Sequence, residues 1–134
     1  MSDLHSRGPA GPGTLTIVIG HRLGKGQQVA KGVEAAGVRA VLIPGPAGDM
    51  RVGDVMDAEG ADLGISFCGS GGAGAVTARS KYGYEIEFNM RSADAGVTAV
   101  QTGKKVLGFG FLDTEDLGFR VATALIKKQG EAAA

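Results

Sequence analysis

The chain has 134 residues, enough for one domain closed around a single sheet. Its 14 basic and 14 acidic residues cancel and tryptophan is absent, which argues against a nucleic-acid surface or a basic membrane-binding face. A single cysteine excludes an internal disulfide and fits a reducing cytoplasm, and no apolar run has the length of a membrane span or the layout of a signal peptide.

Glycine is over-represented, with 24 residues and no Gly-X-Y period. The glycines sit between strong apolar runs, where they mark tight turns and close backbone approach. Residues 1–13 are polar, Pro/Gly-rich and aperiodic and read as a disordered tail, leaving 14–134 as one α/β domain. The run 14–19 is β-branched and reads as a buried strand. Residues 24–37 carry Val29, Val33 and Ala36 at helical spacing, with Gly37 as the C-terminal cap. A second strand at 39–43 stops at Pro44-Gly45-Pro46, and a short helix over 50–59 ends at Gly60. A third strand, 62–67, runs into Cys68-Gly69-Ser70-Gly71-Gly72-Ala73-Gly74, and a helix over 73–81 follows. The remaining spans read as a strand at 84–88, a helix over 92–102 with Ser92 as N-cap, a strand at 105–109 and a last helix over 114–129.

Strict alternation of strands and helices implies parallel strands joined by right-handed crossovers. The fold class is therefore a doubly wound, five-stranded parallel sheet with helices on both faces, in flavodoxin-like order 2-1-3-4-5. Ligands of such sheets bind at the carboxyl ends of the strands where the order reverses, here between strands one and three. Two glycine-rich loops meet there, 20–26 and 68–74.

In the second loop, Gly69, Gly71, Gly72 and Gly74 allow successive N–H groups to converge at a helix N-terminus, an anion site for a phosphate or a reaction oxyanion. The run is not a P-loop, lacking Gly-Lys-Ser/Thr, and not a Cys-x5-Arg loop, because Gly74 stands where the arginine would be. Cys68 ends a buried strand just before that helix, a setting that favours thiolate; the competing reading is a buried, inert thiol. His21, at the exit of strand one, is a candidate acid/base, with a solvated loop histidine as the alternative. Arg22, Lys25, Arg79, Lys81 and Arg91 are candidate anion partners, and of these Lys25 and Arg91, near strand ends, are singled out. Asn89 follows strand four at the same edge and is a candidate for holding a hydroxyl or carbonyl. Glu85 and Glu87 alternate with apolar residues as on a half-exposed strand, and Phe109 and Phe111 read as core. No cluster has metal-ligand spacing, and no cofactor is called for.

The run Ile65-Ser66-Phe67-Cys68-Gly69-Ser70-Gly71-Gly72-Ala73-Gly74, with Lys104-Lys105-Val106-Leu107-Gly108-Phe109-Gly110-Phe111 downstream, resembles the small bacterial glycine-rich SFCGS family over most of residues 14–128. That resemblance implies association with sugar uptake and sugar-acid breakdown. More distantly, Cys68-Gly69-Ser70-Gly71 is similar to the Cys-Gly-Thr-Gly loop of the ribose-5-phosphate isomerase B and galactose-6-phosphate isomerase group. This second resemblance implies an aldose–ketose isomerase on a phosphorylated sugar, with Cys68 as base, Ser70 and the Gly71 and Gly72 amides holding the enediolate, and His21 binding substrate. The chain departs from the group where Gly20 replaces an aspartate before His21 and where Phe88-Asn89-Met90-Arg91 replaces a Cys-His-Asp stretch.

Three readings stay open. One is an isomerase-like protein binding a small anionic sugar phosphate. Another is a cysteine phosphocarrier resembling the IIB component of a sugar phosphotransferase system, working with a membrane transporter. The third is a non-catalytic assembly subunit, whose small-residue faces at 73–80 and 92–102 suit close packing within the chain or across a homodimer.

Overall fold

The computed structural model describes residues 5–7 and 14–133. Its strands are β1 (His5–Arg7), β2 (Thr16–His21), β3 (Arg39–Leu42), β4 (Leu63–Phe67), β5 (Ile86–Met90) and β6 (Val106–Phe109). Its helices are α1 (Gln27–Ala35), α2 (Val52–Glu59), α3 (Ala73–Tyr82), α4 (Ala93–Gln101) and α5 (Glu115–Ala133), with a 3-10 turn at Gly48–Arg51 before α2. The caps are those the residue types favour. Ser92 Oγ accepts the Ala95 N–H at 3.2 Å, Thr114 Oγ accepts the Leu117 N–H at 3.1 Å, and Gly37 takes φ +88° after α1.

All strands join one sheet in the order β1-β3-β2-β4-β6-β5. The strands from β2 to β6 run parallel, and β1 lies antiparallel to β3. Two expectations are corrected. His5–Arg7 fell within the predicted disordered tail, yet it forms an edge strand. Its pairing occupies the open side of β3, which would otherwise present unpaired backbone groups. The other residues of the predicted tail lie outside the described residues. The five parallel strands follow the order 2-1-3-5-4, not 2-1-3-4-5, because β6 lies between β4 and β5. Burial explains the exchange: Val106, Leu107 and Phe109 are fully buried and need cover on all sides. In β5, by contrast, Glu87, Phe88 and Asn89 are exposed, as suits an edge.

The sheet separates two cores. On one face Ile17, Ile19, Leu63, Ile65, Phe67, Leu107 and Phe109 pack against α1, α4 and α5. On the other, Val18 and Val106 pack against α2 and α3. Strand alternation carries this division to the C-terminal edge, where two rows of register partners differ in size. His21, Phe67 and Phe109 form an aromatic row on the first face, and Gly20, Ser66 and Gly108 form a small row on the second. The small row lets other backbones descend onto the sheet. A Cβ on Gly72 would stand 2.5 Å from Gly108 Cα, and one on Gly74 would collide with the Asp49 carbonyl.

The small faces of α3 and α4 are spent within the chain. Ala75 and Ala78 sit in the second core, and Gly96 rests on Phe109 and Val121. No helix among the described residues is long and apolar enough to cross a membrane.

Candidate functional site

Cys68 follows β4 directly and is 3% exposed. The backbone after it doubles back through two left-handed glycines, Gly71 at φ +96° and Gly72 at φ +128°. This turn delivers the N–H groups of Gly72 and Ala73 to Cys68 Sγ at 3.2 and 3.4 Å, with Ser70 Oγ 3.0 Å from the sulfur. Burial alone would push the thiol up. The Ser70 hydroxyl and the Ala73, Gly72 and Ser70 amides outweigh it and bring the thiol from 9.0 down to about 7. Because α3 opens at Ala73, the sulfur also lies at the positive end of a helix dipole.

This geometry revises the role expected of the loop. The predicted anion hole for a ligand is in large part a hole for the thiolate. Gly72 donates to the sulfur, and Gly71 donates to the Cys68 carbonyl at 3.1 Å. Gly74 serves packing against the Asp49 carbonyl. Gly69 stays at the mouth, where a Cβ would meet Phe111 Cε2 at 3.5 Å.

His21 is not a solvated loop residue. It closes β2 at 2% exposure, with its ring 5.6 Å from that of Phe67 and stacked 5.1 Å from that of Phe111. Nδ1 accepts the Leu23 N–H at 3.0 Å, which leaves Nε2 to carry the proton. Burial lowers its pKa, Asp113 raises it, Lys25 lowers it and Asp49 raises it; the net shift is down, which favours the neutral ring.

Of the other predicted residues, Asn89 touches the loop directly. Asn89 holds φ +62°, and its N–H donates to the Gly71 carbonyl at 2.6 Å, clamping the loop. Arg91 donates from Nη2 to Asn89 Oδ1 at 3.1 Å and lies across Gly110. Lys25 is exposed, close enough to His21 to act on it electrostatically. Arg79 and Lys81 lie at the far end of α3, where Lys81 pairs with Asp54 at 2.6 Å. Among the described residues no group of His, Cys, Asp or Glu is placed to hold a metal.

A sequence model of one family, Glycine-rich SFCGS, matches residues 15–128. The chain belongs to that family. No curated protein sequence matches it. Solved structures do resemble it. The type B ribose 5-phosphate isomerase of Trypanosoma brucei has a TM-score of 0.65 at 19% identity, over 85% of this chain and 86% of that one. The ribose-5-phosphate isomerase B of Giardia lamblia has a TM-score of 0.65 at 14% identity, over 86% and 96%. The Mycoplasma genitalium enzyme, solved with bound ribulose-5-phosphate, has a TM-score of 0.59 at 17% identity, over 89% and 92%. This SFCGS protein thus shares the fold of the type B isomerases.

Three residues escaped the sequence reading. Phe111 was read as core but is 51% exposed and covers both His21 and Gly69. Its place in the loop after β6, at the same sheet edge as the other candidates, was the available signal. Asp113 caps α1, accepting the Gly26 and Val29 N–H groups at 3.1 and 2.9 Å. Asp49 is fully buried, with Oδ2 3.0 Å from Arg22 Nη2. A charged residue in a Pro/Gly-rich turn gave no sign of that burial.

Proposed function

We propose that this protein binds a phosphorylated sugar or sugar acid at the C-terminal edge of its sheet and acts as an aldose–ketose isomerase, with Cys68 as the base. One observation carries the reading: Cys68 Sγ sits within reach of two backbone N–H groups and the Ser70 hydroxyl, with its thiol brought down to about 7. A base titrating near neutrality can both take and return a carbon-bound proton.

In this reading the thiolate removes the proton from the carbon beside the carbonyl, and the C–H electrons form the enediolate. The Cys68 thiol then returns the proton to the neighbouring carbon, while the hydroxyl proton moves to the other oxygen. The neutral His21, with its proton on Nε2, and the Ser70 hydroxyl are the groups offered to the enediolate oxygens. Lys25 and Arg91 stand at the rim for the anionic end. Support for the ligand class comes from the shared fold with type B isomerases, one of them solved with ribulose-5-phosphate. The reading carries with it a reducing cytoplasmic location, a homodimer and work beside a sugar-uptake system.

The test is exchange of solvent deuterium into a panel of sugar phosphates. Cys68→Ser is expected to abolish exchange and keep the ligand-induced rise in melting temperature. Exchange that persists in this variant removes the proposal. The same sulfur setting also fits a phosphocarrier, since the amides that hold a thiolate would hold a phosphocysteine. Incubation with phosphoenolpyruvate and the general phosphotransfer proteins separates the two readings: a gain of roughly 80 Da, one phosphoryl group, favours the carrier.

A further inference from the structure

Arg22 stands one step beyond β2, and its N–H donates to the Phe67 carbonyl at 2.9 Å. The β2–β4 register pairs His21 with Phe67, so its continuation sets Arg22 beside Cys68. Alternation turns both side chains to the α2/α3 side of the sheet. Cys68 Sγ reaches the amides of Gly72 and Ala73, and Arg22 Nη2 reaches Asp49 Oδ2, whose own backbone carbonyl lies against Gly74. Both side chains therefore leave the strand ends on the face of the sheet that carries α3, and Asp49, which holds Arg22, packs its backbone carbonyl against Gly74 in the first turn of that helix.

The Asp49 carboxylate is fully buried, while the Arg22 side chain is 41% exposed. Among the described residues, neither carboxylate oxygen receives an aligned hydrogen bond, so the ion-pair contact with Arg22 is the charge compensation the structure provides. Burying a carboxylate costs free energy that one half-exposed partner does not repay, so the pair is poorly explained as a stabilising device. It does tether a half-exposed guanidinium one residue beyond the strand end that neighbours Cys68. Arg22 differs in this from Lys25, which is exposed, and from Arg91, which is tied to an exposed amide.

We infer that Arg22, oriented by the buried Asp49 carboxylate, is the anchor for the phosphate group of the ligand. A guanidinium held through Nη2 keeps Nη1, Nε and the second Nη2 hydrogen as donors for phosphate oxygens. Asp49 is a positioning residue in this arrangement. The inference deepens the isomerase reading and rests on it for the ligand class, but it concerns phosphate recognition and not the proton transfer.

The experiment measures binding of inorganic phosphate to the full chain by calorimetry at mildly alkaline pH, for the native protein, Arg22→Gln, Arg22→Lys, Asp49→Asn and Cys68→Ser. Arg22→Gln is expected to weaken phosphate binding about tenfold and Arg22→Lys by less, because the charge stays and the fork is lost. Asp49→Asn is the sharper case. Deleting a negative charge beside an anion site strengthens binding if only charge matters, whereas loss of orientation weakens it several-fold. Weakening in Asp49→Asn with an unchanged circular dichroism spectrum therefore supports the inference, and strengthening overturns it. Should Asp49→Asn fail to fold, Arg22→Gln at its half-exposed position carries the test, and native-like binding there overturns the inference. Absence of phosphate binding by the native chain overturns it too. Cys68→Ser, which removes the thiolate charge, is expected to bind phosphate at least as tightly as the native protein, and a loss as large as that of Arg22→Gln overturns the inference. If no sugar phosphate exchanges deuterium while phosphate binding still depends on Arg22, the isomerase reading fails and the phosphate anchor stands.

Discussion

Replacing Ser70 by alanine removes the hydroxyl that stands 3.0 Å from Cys68 Sγ and leaves the backbone donors in place. In the native chain the thiol falls from its ordinary 9.0 to about 7, a gap equivalent to about 3 kcal/mol between the two protonation states. At pH 7 about half of the molecules then carry the thiolate, against about one in a hundred for an unperturbed thiol. A hydrogen bond to a charged acceptor contributes about 1.5–3 kcal/mol, so Ser70→Ala is expected to raise the midpoint by about one pH unit or more. The assay is a pH titration of thiolate ultraviolet absorbance, which needs no reagent to reach the buried sulfur. The chain has one cysteine, and its two tyrosines, both shifted upward, titrate well above the window. The same shift makes stability depend on pH. The unfolded chain binds more protons between pH 7 and 9, so native stability rises across that window and the increment is lost as pH falls through about 7. Cys68→Ala is expected to flatten this rise in urea unfolding. A native midpoint at 9 or above, or one that Ser70→Ala leaves unmoved, would refute the argument.

Gly72→Ala is expected to cost about 3 kcal/mol or more in urea unfolding, since the new Cβ would press on Gly108 Cα at 2.5 Å from a φ of +128°. Asp113→Ala removes two acceptors from the start of α1 and is expected to destabilise by about 1–2 kcal/mol, with the loss of protection in hydrogen exchange concentrated in Gln27–Ala35. Burial, the largest influence on His21, lowers its pKa from 6.5, so the unfolded chain gains protons first as the solution is acidified. Stability present above pH 6.5 is expected to decline below it, and a His21→Phe variant that keeps the same acid slope in urea unfolding would contradict this assignment.

Most element boundaries were legible because they rest on local signals. β-branched runs marked the central strands, Ser92 and Thr114 marked helix starts, and Gly37, Gly60 and Gly83 marked stops. Strand order was less accessible, since both orders obey the same alternation of strand and crossover helix. The exposed Glu85 and Glu87 were the clue that β5 belongs at the edge, and it was read as half-exposure without that consequence. The short strand β1 pairs with a partner more than thirty residues away, a contact no local pattern encodes.

The site divides in the same way. That a lone thiol meets a glycine-rich bend at a helix start follows from the order of residues 66 to 74, because backbone freedom and helix polarity are properties of neighbours in the chain. Which atom the bend's N–H groups serve, the ligand or the sulfur, depended on the sign and size of the turn at Gly71 and Gly72, and folding alone set it against Gly108 and Asn89. The burial of His21 and Asp49, and the seating of Phe111 over the mouth, likewise arise from elements distant in sequence. Burial is a property of the packed layers, and a residue's own neighbours do not report it.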